Sequence, residues 1–326
     1  MAKMNYSISE KWLVVVNPNA GSRKCEKDWP KIEALLLQKG FSYDSVFTQN
    51  RNHAISITAQ KITEGFRKII VVGGDGTLNE VVNGIYHQQA CQAADIILAM
   101  IPVGTGNDWC RMYDIPKKYA KAIKVISKGY LFTQDAGYVK YHDDDGEHER
   151  YFINVSGMGY DALVAQKTNK LKDRGKGSTF SYFLNIFTGL FQYKNTPFRV
   201  EVDGAEVYNG RVLSMNIGIC KYNGGGMMPV PNAIPDDGLL DVTIIKGVSK
   251  LNIFKHVAKL YDGSFIKLKF VLTSRGKECS IVSRPRGSAY LEADGESLGH
   301  SPLVFSVKHK ALQFIIPAPV KAERTN

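Results

Sequence analysis

At 326 residues, with 44% hydrophobic and 22% charged content, the chain has a globular composition with room for two domains, which excludes long disorder. No apolar run is long enough to span a bilayer, and Met1-Ala2-Lys3-Met4-Asn5-Tyr6 lacks the apolar stretch of a signal peptide. The net charge of +11 attracts anions, whether nucleotides, nucleic acid or an anionic membrane face; with no nucleic-acid-binding module in the chain, no nucleic-acid partner is expected.

The first third alternates strand and helix. Trp12 to Val16 is a short apolar run ending in Asn17-Pro18-Asn19-Ala20-Gly21, a strand followed by a turn. Asp28 is placed to cap a helix with Pro30 in its first turn, Ile32, Leu35 and Leu36 on its buried face, and Gly40 at its end. Ile69 to Val72 is a second buried strand, opening into Gly73-Gly74-Asp75-Gly76-Thr77. Beyond it Leu78, Val81, Val82, Ile85 and Tyr86 recur at helical spacing. Ile96 to Ile101 repeats the strand before Pro102-Val103-Gly104-Thr105-Gly106-Asn107-Asp108. Strands separated by helices predict a parallel sheet with ligands at the strands' C-terminal ends.

After about residue 135 the pattern changes. Tyr151–Val155, Phe198–Val202, Arg211–Ile219, Leu240–Ile245, Lys267–Leu272 and Leu303–Lys308 read as strands, with turns at Asp203-Gly204, Asn209-Gly210 and Asp237-Gly238. Many strands and few helices predict a β-sandwich, with 178–193 and 250–261 as its helices. Asp143 to Glu147 is an acidic hairpin tip. Cys25, Cys91, Cys110, Cys220 and Cys279 are widely spaced, which fits a reducing compartment, so a cytoplasmic location is expected.

Three turns share the pattern strand, Gly/Asn/Thr turn, helix. Glycine lets the backbone approach a ligand, and the helix that follows aims free N–H groups and its dipole at an anion. Three such turns at successive strand ends line one crevice. Asp75, a carboxylate among phosphate-binding amides, implies either a Mg²⁺ ion against phosphate or a carboxylate that orders the loop by accepting hydrogen bonds. No P-loop motif occurs. Gly157-Met158-Gly159-Tyr160-Asp161-Ala162 matches a dinucleotide fingerprint, but no parallel strand ending in an acid follows it, so tight strand-to-helix packing is the better reading.

Gly73-Gly74-Asp75-Gly76-Thr77-Leu78-Asn79-Glu80 resembles the signature of the diacylglycerol kinase catalytic fold, shared with bacterial lipid kinases, sphingosine kinases and, more distantly, NAD kinases. Asn17-Pro18-x-x-Gly21, Pro102-x-Gly104-Thr105-x-Asn107-Asp108, Gly224-Gly225-Gly226-Met227, Pro231-Asn232-Ala233, Asp237-Gly238-Leu239-Leu240-Asp241 and Asp294-Gly295-Glu296 follow in the order of the bacterial lipid kinases. The resemblance implies an α/β fold: a three-layer parallel-sheet nucleotide domain over 1–135, with the tail 317–326 as a candidate to complete it. A β-sandwich lipid-substrate domain over 136–316 follows, with the active site in the interdomain cleft. It also implies ATP contacts at Asn17, Pro18, Asn19, Ala20, Gly21, Thr48, Gly73, Gly74, Asp75, Gly76, Thr77, Leu78, Asn79 and Thr105. A structural Mg²⁺ is implied at Asp237 with the main-chain oxygens of Ile234 and Leu239, and Asp135 and Asp108 are implied in the catalytic hydrogen-bond network.

Glu296 matches the general base of that family. By turn chemistry alone Asp294-Gly295-Glu296 is an ordinary hairpin turn, but phosphoryl transfer needs a carboxylate to accept the attacking hydroxyl's proton. The expected activity is ATP-dependent phosphorylation of a lipid hydroxyl, with diacylglycerol giving phosphatidic acid as the default. NAD kinase-like action on a soluble substrate, or a catalytically silent lipid- or nucleotide-binding protein, stands as the alternative. Substrate access implies transient, peripheral docking on the inner, anionic face of the membrane, and a homodimer is compatible with the resemblance. Lys167, Lys170, Lys172, Arg174 and Lys176 form the basic segment suited to that surface. Phe180, Phe183, Phe187 and Phe191 fit a helix packed on the β-domain better than one lying in lipid.

Overall fold

The computed structural model describes residues 10–173 and 193–317. The aromatic stretch from Phe180 to Phe191, with Arg174 and Lys176, lies outside them. The described residues form two compact units: those up to Gln134 together with those from Lys310 onward, and Asp135–His309.

The first unit begins with β1 (Trp12–Val16), α1 (Ala20–Gln38), β2 (Tyr43–Phe47), α2 (His53–Thr63), β3 (Lys68–Gly73), α3 (Asp75–His87) and β4 (Ile97–Pro102). α4 (Asp108–Met112) and α5 (Tyr119–Lys128) follow. β1, β3 and β4 are parallel and β2 lies outside β1, giving the order β2-β1-β3-β4. Every residue of β1 is wholly buried, as expected of an apolar run covered on both faces. Trp12, Val14 and Val16 pack with Trp29, Ile32 and Leu36 of α1 and Ile123 and Ile126 of α5. α2 packs on α3 and touches β1, and α3 touches β3.

The expected cap at Asp28 is not where α1 starts. Asp28 lies inside the helix and accepts a hydrogen bond from Tyr119 Oη at 2.6 Å. Gly21, Ser22 and Arg23 are left-handed, so Pro30 falls beyond the first right-handed turn. β2 gave no apolar run because it is an edge strand with no fully buried residue.

β5 (Tyr130–Asp143) carries the chain into the second unit, where β6 (Gly146–Phe152), β7 (Val155–Gly159), α6 (Tyr160–Asp173), β8 (Thr196–Val202) and β9 (Ala205–Gly218) follow. The rest comprises β10 (Leu240–Lys246), α7 (Lys250–His256), α8 (Lys259–Asp262), β11 (Val271–Gly276), β12 (Glu278–Ser283), β13 (Tyr290–Ala293) and β14 (Glu296–Ile316). The strands of this unit pair antiparallel: β9 joins β8, β7 and β10, β13 joins β7 and β14, and β12 joins β8 and β14. Asn209-Gly210 is no turn but sits in β9 opposite Arg199 and Phe198. The strand expected over Lys267–Leu272 begins only at Val271, after a single 3₁₀ turn at Ser264–Lys267. The strand expected over Tyr151–Val155 is broken at Ile153-Asn154, whose N–H groups turn to the Asp294 carboxylate at 2.9 Å each.

The last strand returns to the first unit earlier than residue 317. Gln313 and Phe314 pair in parallel with Ile97 and Leu98 of β4, so β14 adds a fifth strand to that sheet. Phe314 is wholly buried, with its ring 4.5 Å from that of Trp109. Trp109 Nε1 and Tyr113 Oη both donate to Gln134 Oε1, at 2.9 and 2.7 Å. α4 is thus seated by the end of β14. Phe314→Ala is expected to cost about 3–5 kcal/mol through loss of a buried ring, visible as a lowered melting temperature.

Candidate active site

Three strand-to-helix turns of the first unit are tied into one cluster. Asn17 N–H bonds Val72 O at 3.0 Å, and Asn17 Nδ2 donates to Thr77 Oγ1 at 2.9 Å, linking the first turn to the second. Ser22 and Arg23, at φ of 58° and 66°, occupy a region that costs a side-chain-bearing residue about 1–2 kcal/mol. Hydrogen bonds from Ala20 N–H to Asn17 O, Arg23 N–H to Asn19 O and Glu26 N–H to Pro18 O hold the turn in that shape. Gly21 is needed for close approach, since a methyl group there would stand 2.4 Å from Val103 O.

The second and third turns pass backbone against backbone. Gly73 O accepts Val103 N–H at 2.8 Å and Gly104 N–H at 3.2 Å, and a methyl on Gly104 would lie 2.6 Å from Gly74 Cα. Only glycine fits. α3 begins at Asp75, so its positive end opens into this cluster. Asp75 Oδ2 accepts Asp108 N–H and Oδ1 accepts Trp109 N–H, each at 3.0 Å. Of the two roles the sequence left open for Asp75, the ordering of a loop is the one displayed. A methyl on Gly106 would lie 3.4 Å from Asp75 Oδ2 and 3.3 Å from Asp108 Oδ2, so two carboxylate oxygens converge above that glycine. Their donor chemistry fits a hard cation. Arg111 Nε lies 3.5 Å from Asp108 Oδ1.

The residues matched to ATP contact divide in two. Asn17 to Gly21, Gly74 to Gly76 and Thr105 are exposed or half-buried in the turns. Gly73, Thr48, Thr77, Leu78 and Asn79 are buried. Thr48 N–H bonds Val16 O at 2.9 Å, Thr77 receives Asn17, and Leu78 lies in the core. Glu80, the last residue of the signature, had no role read from sequence. Its carboxylate accepts the N–H groups of Asn52 and Ala54, at 2.9 and 3.1 Å, and so satisfies the start of α2.

In the second unit Asp135 is wholly buried and accepts Gly238 N–H at 2.7 Å, while His309 Nδ1 stands 2.9 Å from its other oxygen. Asp135 therefore meets the Asp237 loop. Asp294 and Gly295, at φ of 49° and 84°, form the hairpin turn between β13 and β14, and Glu296 is half-buried at its end, paired with Ala293. Asp294 accepts three N–H groups, those of Ile153, Asn154 and Val155, which holds the turn down.

The Mg²⁺ ligand set implied at Asp237 does not fit. Asp237 Oδ1 accepts Leu239 N–H at 3.1 Å, and Oδ2 is held by Arg275 Nη2. Arg275 Nε stands 3.0 Å from Asp241 Oδ1, so one guanidinium bridges both carboxylates. The carboxylate facing the expected metal already has a cation, and a divalent ion beside it would meet like charge. Burial pushes the Asp241 carboxyl up from its ordinary value, against the pull of Arg275. Among the described residues no group of three or more His, Cys, Asp or Glu is placed to hold a metal ion.

Residues 11–139 match the diacylglycerol kinase catalytic domain, and residues 154–316 match the YegS C-terminal NAD kinase beta sandwich-like domain. The chain belongs to the diacylglycerol kinase family. As a member it is a phosphotransferase with an alcohol group as acceptor. It is 28% identical over 308 residues to a diacylglycerol kinase of Mycobacterium tuberculosis (strain ATCC 25618 / H37Rv), covering 94% of this chain and 95% of that protein. A diacylglycerol kinase crystal structure from Bacillus anthracis str. Sterne shares the fold, with a TM-score of 0.70, 24% identity, and coverage of 94% of this chain and 97% of that one. Yeast NADH kinase shares it more distantly, with a TM-score of 0.53, 10% identity, and coverage of 94% of this chain and 84% of that one. The architecture is a nucleotide-binding domain followed by a β-sandwich-like domain.

Because Arg275 supplies the positive charge at Asp237, a chelator is expected to leave the melting temperature unchanged in the absence of ATP. Arg275→Ala is expected to lower stability by about 1–2 kcal/mol, the penalty of a broken pair discounted for a guanidinium open to solvent. It is also expected to make added Mg²⁺ protective. Calorimetry of both proteins with and without chelator checks this.

Proposed function

We propose that this chain transfers the γ-phosphoryl group of ATP to a lipid hydroxyl, with diacylglycerol as acceptor and phosphatidic acid as product. The observation that supports it most directly is the turn cluster. Glycine backbones and the start of α3 offer N–H groups to phosphate, beside the converging oxygens of Asp75 and Asp108. The exposed residues of the three turns, Asn17 to Gly21, Gly74 to Gly76 and Thr105, would bind the triphosphate, and the buried ones hold those turns in place. Mg²⁺ arriving with ATP would be held by Asp75 and Asp108 and would neutralise phosphate charge.

Glu296 accepts the proton of the attacking hydroxyl as its oxygen bonds the γ-phosphorus, and ADP leaves with the bridging oxygen. The reaction needs the phosphates held by the first unit and the carboxylate supplied by the second to meet over one substrate pair, as the resemblance implies for a cleft between domains.

A lipid acceptor lies in a bilayer, so the enzyme docks transiently on an anionic surface. Among the described residues no helix is long and apolar enough to cross a membrane. Leu251, Phe254 and Tyr261 are 64%, 56% and 45% exposed on α7 and α8, beside Lys250, Lys255 and Lys259, a mixture suited to the headgroup boundary.

Labelled γ-phosphate offered from Mg-ATP to diacylglycerol vesicles is expected to appear in phosphatidic acid, and not in NAD offered in parallel. Labelling of NAD alone, or ATP binding without turnover on a broad lipid panel, would overturn the assignment. Glu296→Gln is expected to lower kcat by roughly 10²-fold with the fold intact, the contribution of a lost general base. Unchanged turnover would remove Glu296 from the mechanism. Sedimentation with anionic vesicles is expected to weaken as salt rises, and salt-independent binding would refute the electrostatic part.

A further inference from the structure

Behind the Asp294-Gly295-Glu296 turn lies a second carboxyl that the chemistry above does not use. Glu292, on β13, is 1% exposed and sits in register between Gly157 of β7 and Ser297 of β14. Glu292 Oε2 accepts Gly295 N–H at 2.8 Å, and Oε1 accepts Asn223 Nδ2 at 3.3 Å. Asn223 opens the Gly224-Gly225-Gly226 loop: its Oδ1 accepts Gly224 N–H at 2.7 Å and its N–H bonds Met227 O at 2.9 Å. These three glycines have φ of 61°, 85° and 111°, so the loop is a run of left-handed backbone whose side-chain anchor is Asn223.

We propose that Glu292 is a positioning residue for Glu296: its carboxyl clasps the Gly295 N–H and the Asn223 side chain together, fixing the hairpin that carries Glu296 relative to the triple-glycine loop. The proposal rests on Glu296 acting as the base.

The surroundings favour the neutral carboxyl. A methyl on Gly157 would come within 2.6 Å of Glu292 Oε1 and 3.3 Å of Asn216 Oδ1, so those two oxygens face the same point, and glycine is what leaves room for them. Asn216 Oδ1 is buried with no hydrogen-bond partner among the described residues. Asn216 Nδ2 is committed to Asp161 Oδ2 at 2.8 Å, where Ser214 Oγ also donates, so the amide oxygen is left turned toward Glu292. A protonated Glu292 would offer a donor on that side, and it still accepts from Gly295 and Asn223.

Burial pushes the Glu292 carboxyl well above its ordinary value, against the pull of the Gly295 N–H, and the charges of Asp161 on α6 and Asp294 in the turn push it further. Burial likewise raises Asp161, against its bonds from Ser214 and Asn216. With the folded value raised, the stability of the neutral buried carboxyl is present at low pH and is lost as pH rises through that value, although the bonds from Gly295 and Asn223 can be accepted in either state. Glu292→Gln keeps the shape and the neutral charge at every pH, and its single oxygen can still accept Gly295 N–H, while its NH2 group cannot accept from Asn223 Nδ2.

The test compares wild type, Glu292→Gln, Glu292→Ala and Asn223→Ala, reading kcat and KM for Mg-ATP across pH and the hydrogen exchange of the Gly295 amide. Glu292→Ala is expected to lower kcat roughly tenfold or more, with KM for Mg-ATP held within about twofold, and to speed Gly295 exchange. Glu292→Gln, which keeps the Gly295 bond, is expected to lose less kcat than Glu292→Ala and to keep more of what remains at alkaline pH. Asn223→Ala is expected to fall between. The proposal is overturned if Glu292→Ala keeps wild-type kcat and Gly295 exchange, or if Glu292→Gln is as impaired as Glu292→Ala at every pH. Should Glu292→Ala fail to fold, Asn223→Ala decides: unchanged kcat and exchange there remove the clasp. Gly295 exchange does not depend on turnover, so an active Glu296→Gln would remove the base and leave the clasp separately readable.

Discussion

The Asp75 carboxylate, accepting the N–H groups of Asp108 and Trp109, is the interaction on which the nucleotide side of this protein depends. α4 spans only Asp108 to Met112, too short to stand on its own hydrogen bonds, and Asp75 satisfies its first N–H groups. Each such bond to a charged acceptor contributes about 1.5–3 kcal/mol, and the start of α3 favours a negative charge where Asp75 lies. The same contact fixes Trp109, whose ring and indole N–H reach Phe314 and Gln134. One carboxylate therefore sets the third turn, the seat of α4 and the convergence of negative charge above Gly106.

The second unit answers the charge of its acids in several ways. Asp294 and Asp135 are surrounded by donors, three backbone N–H groups on the first and Gly238 with His309 on the second. Asp161, reached by Ser214 and Asn216, and Glu292, reached by Gly295 and Asn223, are pushed up by burial. Asp237 is a third case: a guanidinium answers its charge where the family resemblance implied a metal. Burial alone does not say which solution a given acid uses.

Much of the first unit was legible in the sequence because its sheet is covered on both faces, which writes strands as unbroken apolar runs such as Leu13 to Val16 and Ile69 to Val72. The glycine turns were legible because close backbone approach admits no other residue, as between Gly74 and Gly104. β2 escaped, since an edge strand need not be apolar. The Asp75–Asp108 contact spans thirty-three positions and the Arg275–Asp237 pair thirty-eight, and no local pattern reports either. Asn209-Gly210 carries the residues of a turn yet lies within β9, where pairing to β8 overrides local preference. No strand was read from the sequence around Glu292. Only the register of β13 between β7 and β14 shows that it faces inward.

The return of β14 to the first unit has a consequence for synthesis. A ribosome delivers β1 to β4 long before it delivers Gln313 and Phe314, which close one side of β4. Until then β4 exposes an unpaired strand edge and Trp109 lacks its ring partner, a state that invites chaperone binding or aggregation. Folding of the nucleotide-binding unit is thereby tied to completion of the chain through the whole sandwich. A prematurely terminated product cannot accumulate as a finished nucleotide-binding unit.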